Sequence, residues 1–186
     1  MRTIFKLTLL FICFAALANC ASSDKFTMTY STQGLPRGKA DINASTFKYL
    51  PADKDRVSQN QIENTAWHGS ILLDMNVGDY VRRAFMMELE RNGYYSNTPK
   101  TLLDCDIAQF KCDDLGNSVD WYFDISCRFI DNNTKTEVAS ESANIVKKGM
   151  VKFGGLENLQ RGMNSLIFEG YEKIIGSQKV QQILKQ

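Results

Sequence analysis

Apolar positions along this chain repeat with two different periods. The cleanest is the period of two in "VDWYFDISCRFI", residues 119–130. Val119, Trp121, Phe123, Ile125, Cys127 and Phe129 fall on one side, and Asp120, Tyr122, Asp124, Ser126 and Arg128 on the other. That alternation predicts a strand with one buried face. "TLLDCDIAQFKC", 101–112, alternates Leu103, Cys105 and Ile107 against Asp104 and Asp106. Phe110 and Cys112 then take the opposite parity, which predicts a bulge. "DDLGNS" reads as the turn between these strands, and "DNNT" (131–134) as a hairpin turn into a returning strand over 135–148. In that strand Val138 and Val146 share one parity and Ala139, Ala143 and Ile145 the other. The three strands form a meander.

Two segments repeat at three-and-four spacing instead. Val77, Tyr80, Val81, Ala84, Phe85 and Leu89 make one apolar stripe, with Asn76 as its cap, Asp79 in its first turn and Gly93 at its end. After Gly154-Gly155, the residues Leu156, Leu159, Met163, Leu166, Ile167, Tyr171 and Ile174 make a second stripe, which Gly176 stops. Ser177 can cap a last short helix. Upstream, 40–50 predicts a strand ended by Pro51, 52–66 a surface loop, and 69–75 a short strand or a lead-in to the helix. An apolar sheet face and two amphipathic helices need each other. The predicted fold is α+β, a two-layer sandwich. It has a mostly antiparallel sheet of about four strands, with two main amphipathic helices packed on one face.

The N-terminus has a third pattern. Arg2 and Lys6 precede an apolar run from Leu7 to Ala18, too short to span a bilayer and of signal-peptide length. Two cleavage readings compete. Ala16-Leu17-Ala18 suits ordinary signal peptidase and a mature chain starting at Asn19. Leu17-Ala18-Asn19-Cys20 resembles the bacterial lipobox, with Asn19 departing from the usual small residue. The abrupt end of the run favours the lipobox. The expected organisation is a signal peptide over 1–19, a tether over 20–39 and one periplasmic domain over 40–186. "KFTMTYS" in the tether could pair as an edge strand. Cys20 would carry covalent diacylglycerol and an acyl chain, enough apolar surface for stable anchoring. Ala21 after it, rather than Asp, reads as outer-membrane sorting in that resemblance.

Composition narrows the function. The whole chain has 22 basic and 21 acidic residues, and two of the basic ones lie in the signal. The remainder is near neutral, so binding to nucleic acid through counterion release is not expected. The lone histidine, His68, leaves no metal signature among the cysteine spacings. No metal, no catalytic set and no cofactor beyond the lipid are expected. The six aspartates Asp104, Asp106, Asp113, Asp114, Asp120 and Asp124 read as a solvated sheet face and turn rather than a calcium or hydrolase site. Cys105 and Cys127 share the apolar parity of neighbouring strands. They are either a disulfide or buried free thiols. Trp67-His68 and Arg82-Arg83 are candidate partner contacts, with core-rim packing and a solvated helix face as the plainer alternatives.

These features together resemble a family. The lipobox-like Leu17–Cys20, the strand ending in "FKYLP", the block "NQIENTAWHGSILLDMNVGDYVRRAFMMELERNGY" (60–94), the meander and the C-terminal helix are similar to YajG-type and related small outer-membrane lipoproteins. The resemblance implies a non-enzymatic accessory, assembly or binding subunit in envelope transport or surface-structure biogenesis. It implies an outer-membrane location on the periplasmic face, and an envelope protein or a second copy as partner. It carries no catalytic residues. The alternative from ordinary cleavage is a soluble periplasmic domain that binds a small ligand.

Overall fold

The computed structural model describes residues 25–27, 29–65, 70–151 and 155–184. The elements are β1 (Lys25–Phe26), β2 (Ile42–Tyr49), a helical turn α1 (Leu50–Asp53), β3 (Gln61–Asn64), β4 (Ile71–Leu73) and α2 (Val77–Asn92). Then come β5 (Thr101–Asp113), β6 (Ser118–Asp131), β7 (Glu137–Val151), α3 (Gly155–Ile175) and α4 (Gln178–Ile183). The architecture is mixed α+β, and the sheet has more strands than the expected four. Six strands form a ladder in the order β1-β4-β3-β5-β6-β7, and β2 pairs with β5 beside it.

The meander lies where the period of two placed it. β5 and β6 pair antiparallel from Thr101 opposite Asp131 to Asp113 opposite Asp120, and β7 returns along β6. The register slips between Ile107 and Gln109, where the apolar parity changes. Leu103, Cys105, Ile107, Phe110 and Cys112 are therefore all buried despite their two parities. Gly93 takes the left-handed conformation at the end of α2 (φ 81°), which favours glycine. The Ser177 hydroxyl accepts from the Val180 amide at the start of α4. Asn76 occupies the cap position of α2, but its side chain makes no capping bond. The first helical amide, of Val77, is taken by the Gln59 carbonyl instead.

The sheet differs from expectation on the other edge of β5. β2 runs parallel to Thr101–Ile107, and β3 runs parallel to Lys111–Cys112 further along the same edge. The chain leaves that edge at Tyr49 and rejoins it at Glu63. Tyr49 bridges the gap: its hydroxyl donates to the Phe110 carbonyl at 3.4 Å and accepts from the Glu63 amide at 3.3 Å. β3 falls inside the segment expected to be loop. Its four residues are too few to show a period, and it exists because β4 and β5 supply its partners. β1, within the expected tether, pairs parallel with Leu72 and Leu73.

Both long helices cover one sheet face. Phe85 of α2 packs edge-on against Phe47 of β2 at 5.2 Å and Tyr171 of α3 at 5.4 Å, joining sheet and helices. Phe110, Trp121 and Phe123 form the aromatic floor under α3. α3 comes close because Gly170 faces that floor, where an added Cβ would sit 2.7 Å from Phe123. The opposite face is mostly polar, with Ser126 bonded to Ser142 and Arg128 near Asp106, and it also carries the exposed Val146 of β7. Among the described residues no helix is long and apolar enough to cross a membrane.

Cys105 and Cys127 are cross-strand neighbours, and a disulfide joins them across 22 residues of sequence. Closing a loop of that length constrains the unfolded chain. Reduction should lower stability by about 3 kcal/mol, read as a lower urea midpoint with reductant than without. Equal midpoints would show that the bond adds nothing. Gly170→Val should cost about 1–3 kcal/mol through overpacking against Phe123. Ordinary helix propensity would give a gain there, so the sign of the change decides.

Candidate functional site

The buried stripe of α2 does not stay apolar. Val77, Val81, Ala84 and Phe85 lead at three-and-four spacing to Glu88 and Asn92, and both of these polar residues are 0% exposed. A buried carboxylate is costly unless hydrogen-bonded. Glu88 Oε1 accepts from the Tyr30 hydroxyl at 2.7 Å and the Gln33 amide at 2.8 Å, and Oε2 accepts from the Gly34 amide at 2.9 Å. Three donors and no acceptor suit an ionised carboxylate, which only accepts. Asn92 extends the set. Its Nδ2 donates to the Leu35 carbonyl at 2.8 Å and its Oδ1 accepts from the Tyr171 hydroxyl at 2.6 Å. Its carbonyl, at the end of α2, receives the Arg37 and Gly38 amides at 3.0 and 3.3 Å.

The segment 29–38 is thus a strap across the helical layer. α3 holds it as well, through Asn164 to the Thr29 carbonyl at 3.0 Å, through Gln160 to Thr29, and through an Arg37–Glu172 ion pair. Gly34 is required at the centre. An added Cβ there would lie 2.6 Å from both Glu88 Oε2 and Asn92 Nδ2. Burial raises the Tyr30 hydroxyl well above the usual phenol range, and the bond to Glu88 and its charge raise it further. Tyr30 therefore stays a donor. The expected tether is, in this half, hydrogen-bonded to the body.

Beside the strap, α2 carries an open cleft of about 440 Å³ lined by Tyr30, Met75, Tyr80, Arg83, Met86, Met87, Glu90 and Tyr95. Its size and mostly apolar wall are those of a small-ligand or side-chain site. Arg83 and Glu90 bring one charge of each sign. Methionines adapt to varied apolar shapes, and Met87 is 38% exposed.

The structure separates the two arginines that the sequence set together. Arg82 is half-buried, 3.7 Å from Asp79 and 3.3 Å from Met86 Sδ, while Arg83 lies on the cleft wall. Cys20, Trp67 and His68 lie outside the described residues. The aspartates are spread along the sheet. Asp104 accepts from the Thr46 amide, Asp113 from the Thr65 hydroxyl and Asp120 from the Gly149 amide. Among the described residues no three His, Cys, Asp or Glu side chains gather as a metal site. Sequence reasoning missed Glu88 and Asn92. The signal was there, because both fall on the buried stripe of α2, where a polar residue needs a partner.

No family model matches this sequence, and no curated protein does. Solved structures do. One is a Xanthomonas campestris protein of the DUF330 family, with TM-score 0.62 and 11% identity, covering 88% of this chain and 100% of that one. The chain shares that fold. An uncharacterised protein follows at TM-score 0.52 and 8% identity, covering 86% and 99%. A candidate lipoprotein from Caulobacter crescentus is looser, at TM-score 0.45 and 14% identity, covering 59% and 85%. At these identities the likeness concerns the fold alone, and none of these descriptions carries the YajG-type resemblance.

Glu88→Gln would turn an amide donor toward a backbone amide donor. It should cost about 1–3 kcal/mol and release protection of the Gln33 and Gly34 amides in hydrogen exchange. Unchanged protection at those amides would show that Glu88 does not hold the strap.

Proposed function

We propose that this chain is a non-enzymatic lipoprotein of the bacterial envelope. In this reading it is anchored through Cys20 to the periplasmic face of the outer membrane. The observation that carries the reading is the short apolar run ending directly on Leu17-Ala18-Asn19-Cys20. The two-layer fold is compatible with such a role and does not by itself assign it. The part that binds is the α2 cleft. Its three methionines and three tyrosines offer an adaptable apolar surface, and Arg83 and Glu90 offer one ionic contact of each sign. The partner is an envelope protein or a second copy that inserts an apolar side chain there.

Ala16-Leu17-Ala18 supports one other reading, a chain cut after Ala18 and released to the periplasm with the same cleft taking a small ligand. Mass spectrometry of the mature N-terminus after palmitate labelling separates the two. The expected species begins at an acylated Cys20, fractionates with outer membrane, and loses both properties in Cys20→Ser. An unmodified terminus at Asn19 would overturn the anchor.

A further inference from the structure

The strap differs from the core in what holds it. Apart from Tyr30, which is half-buried, and Gly34, which is buried, its side chains face water, and Leu35 is 69% exposed. Its attachment is polar: amides to Glu88, a carbonyl to Asn92, amides to the end of α2, and an ion pair to Glu172. Lifting it would bare Glu88 and Asn92, which water can solvate, and the Tyr30 ring, which packs against the core, is the large apolar group it would carry away. A segment tied through apolar burial loses hydrophobic stabilisation over all the area it exposes. A polar tie exchanges most of its bonds for bonds to water. β1 adds a two-residue pairing to the same stretch of chain.

We propose that the strap is a releasable latch that sets the length of the membrane tether. This rests on the reading that Cys20 is acylated. With β1 and the strap seated, five residue steps separate Cys20 from Lys25, a span of at most roughly 18 Å. The body is then held against the membrane surface. With both released, the chain is free from Cys20 to Ile42. That is a flexible span of about 26 Å r.m.s. and up to roughly 75 Å when fully drawn out. Tyr30 links this device to the cleft, because its ring lines the cleft and its hydroxyl is bonded to Glu88. A partner that engages Tyr30 acts on the latch in the same event, and the two states differ in what they offer it.

The test has two arms. In the first, hydrogen exchange is followed in the mature chain carrying Cys20→Ser. The Gln33, Gly34, Arg37 and Gly38 amides should be protected, yet exchange at least 100-fold faster than the β5–β6 amides. Exchange of both sets at one rate would overturn the latch, since the strap would then open only with the whole fold. Strap amides as fast as those of a free peptide would overturn it too. In the second arm, acylated chain is bound to phosphatidylethanolamine–phosphatidylglycerol vesicles. Energy transfer from a label at Ser142→Cys, on the polar sheet face, to a lipid dye reports the height of the body. Gly34→Val should abolish strap protection, leave β5–β6 exchange unchanged and lower the transfer. Glu88→Ala is the second variant, should Gly34→Val fail to fold. Lost protection with unchanged transfer would overturn the tether role. A chain that is not acylated binds no vesicles and sinks the anchor reading instead, and the exchange arm alone then decides the latch.

Discussion

A sheet with one apolar face has to be covered, and most of this structure follows from that constraint. The inward row of β6, from Val119 to Phe129, is buried without a break. Two helices supply the cover. They lie close because Gly170 permits contact with Phe123, and they meet each other where Phe85 touches Tyr171. The strap crosses this helical layer, bonded to Glu88 and Asn92 of α2 and to Asn164 and Glu172 of α3.

The strap explains the two polar residues on the buried stripe. An apolar side chain at 88 would leave the Gln33 and Gly34 amides without acceptors, and one at 92 would leave the Leu35 carbonyl without its donor. Glu88 and Asn92 instead match an extended main chain, accepting from its amides and donating to its carbonyl. A carboxylate in that position is stabilised only while the strap is seated or water has replaced it. The cleft beside it shares Tyr30, so the cleft wall and the strap are structurally adjacent.

The meander and the two helices were legible because their apolar periods are long. Eleven residues of strict alternation leave no other solution for β6, and the parity slip near Ile107 was readable as a bulge. Of the short strands, β1 and β4 fall in segments read as an edge strand and as a short strand or lead-in, while β3 was not legible: its four residues are too few to show a period, and it exists because its neighbours offer hydrogen bonds. The parallel pairing of β2 with β5 was hidden for a related reason. Parallel partners are separated by a whole helix, so nothing local marks them. The cleft was missed because Met86-Met87 looks like the edge of a core until Tyr30 and Tyr95, both distant in sequence, complete its wall.

By itself, the sequence determined the one-faced sheet, the two covering helices, the cross-strand placement of Cys105 and Cys127, and the short apolar run that ends on Cys20. All of these are properties of neighbours in sequence or of a fixed period. Tertiary structure alone decided which donors meet Glu88 and Asn92, and that a polar segment over 29–38 is a strap rather than a free tether. Those outcomes depend on groups some 55 to 80 residues apart coming within hydrogen-bond reach. The stripe of α2 marks Glu88 as buried, but nothing local to it says which distant amides it meets.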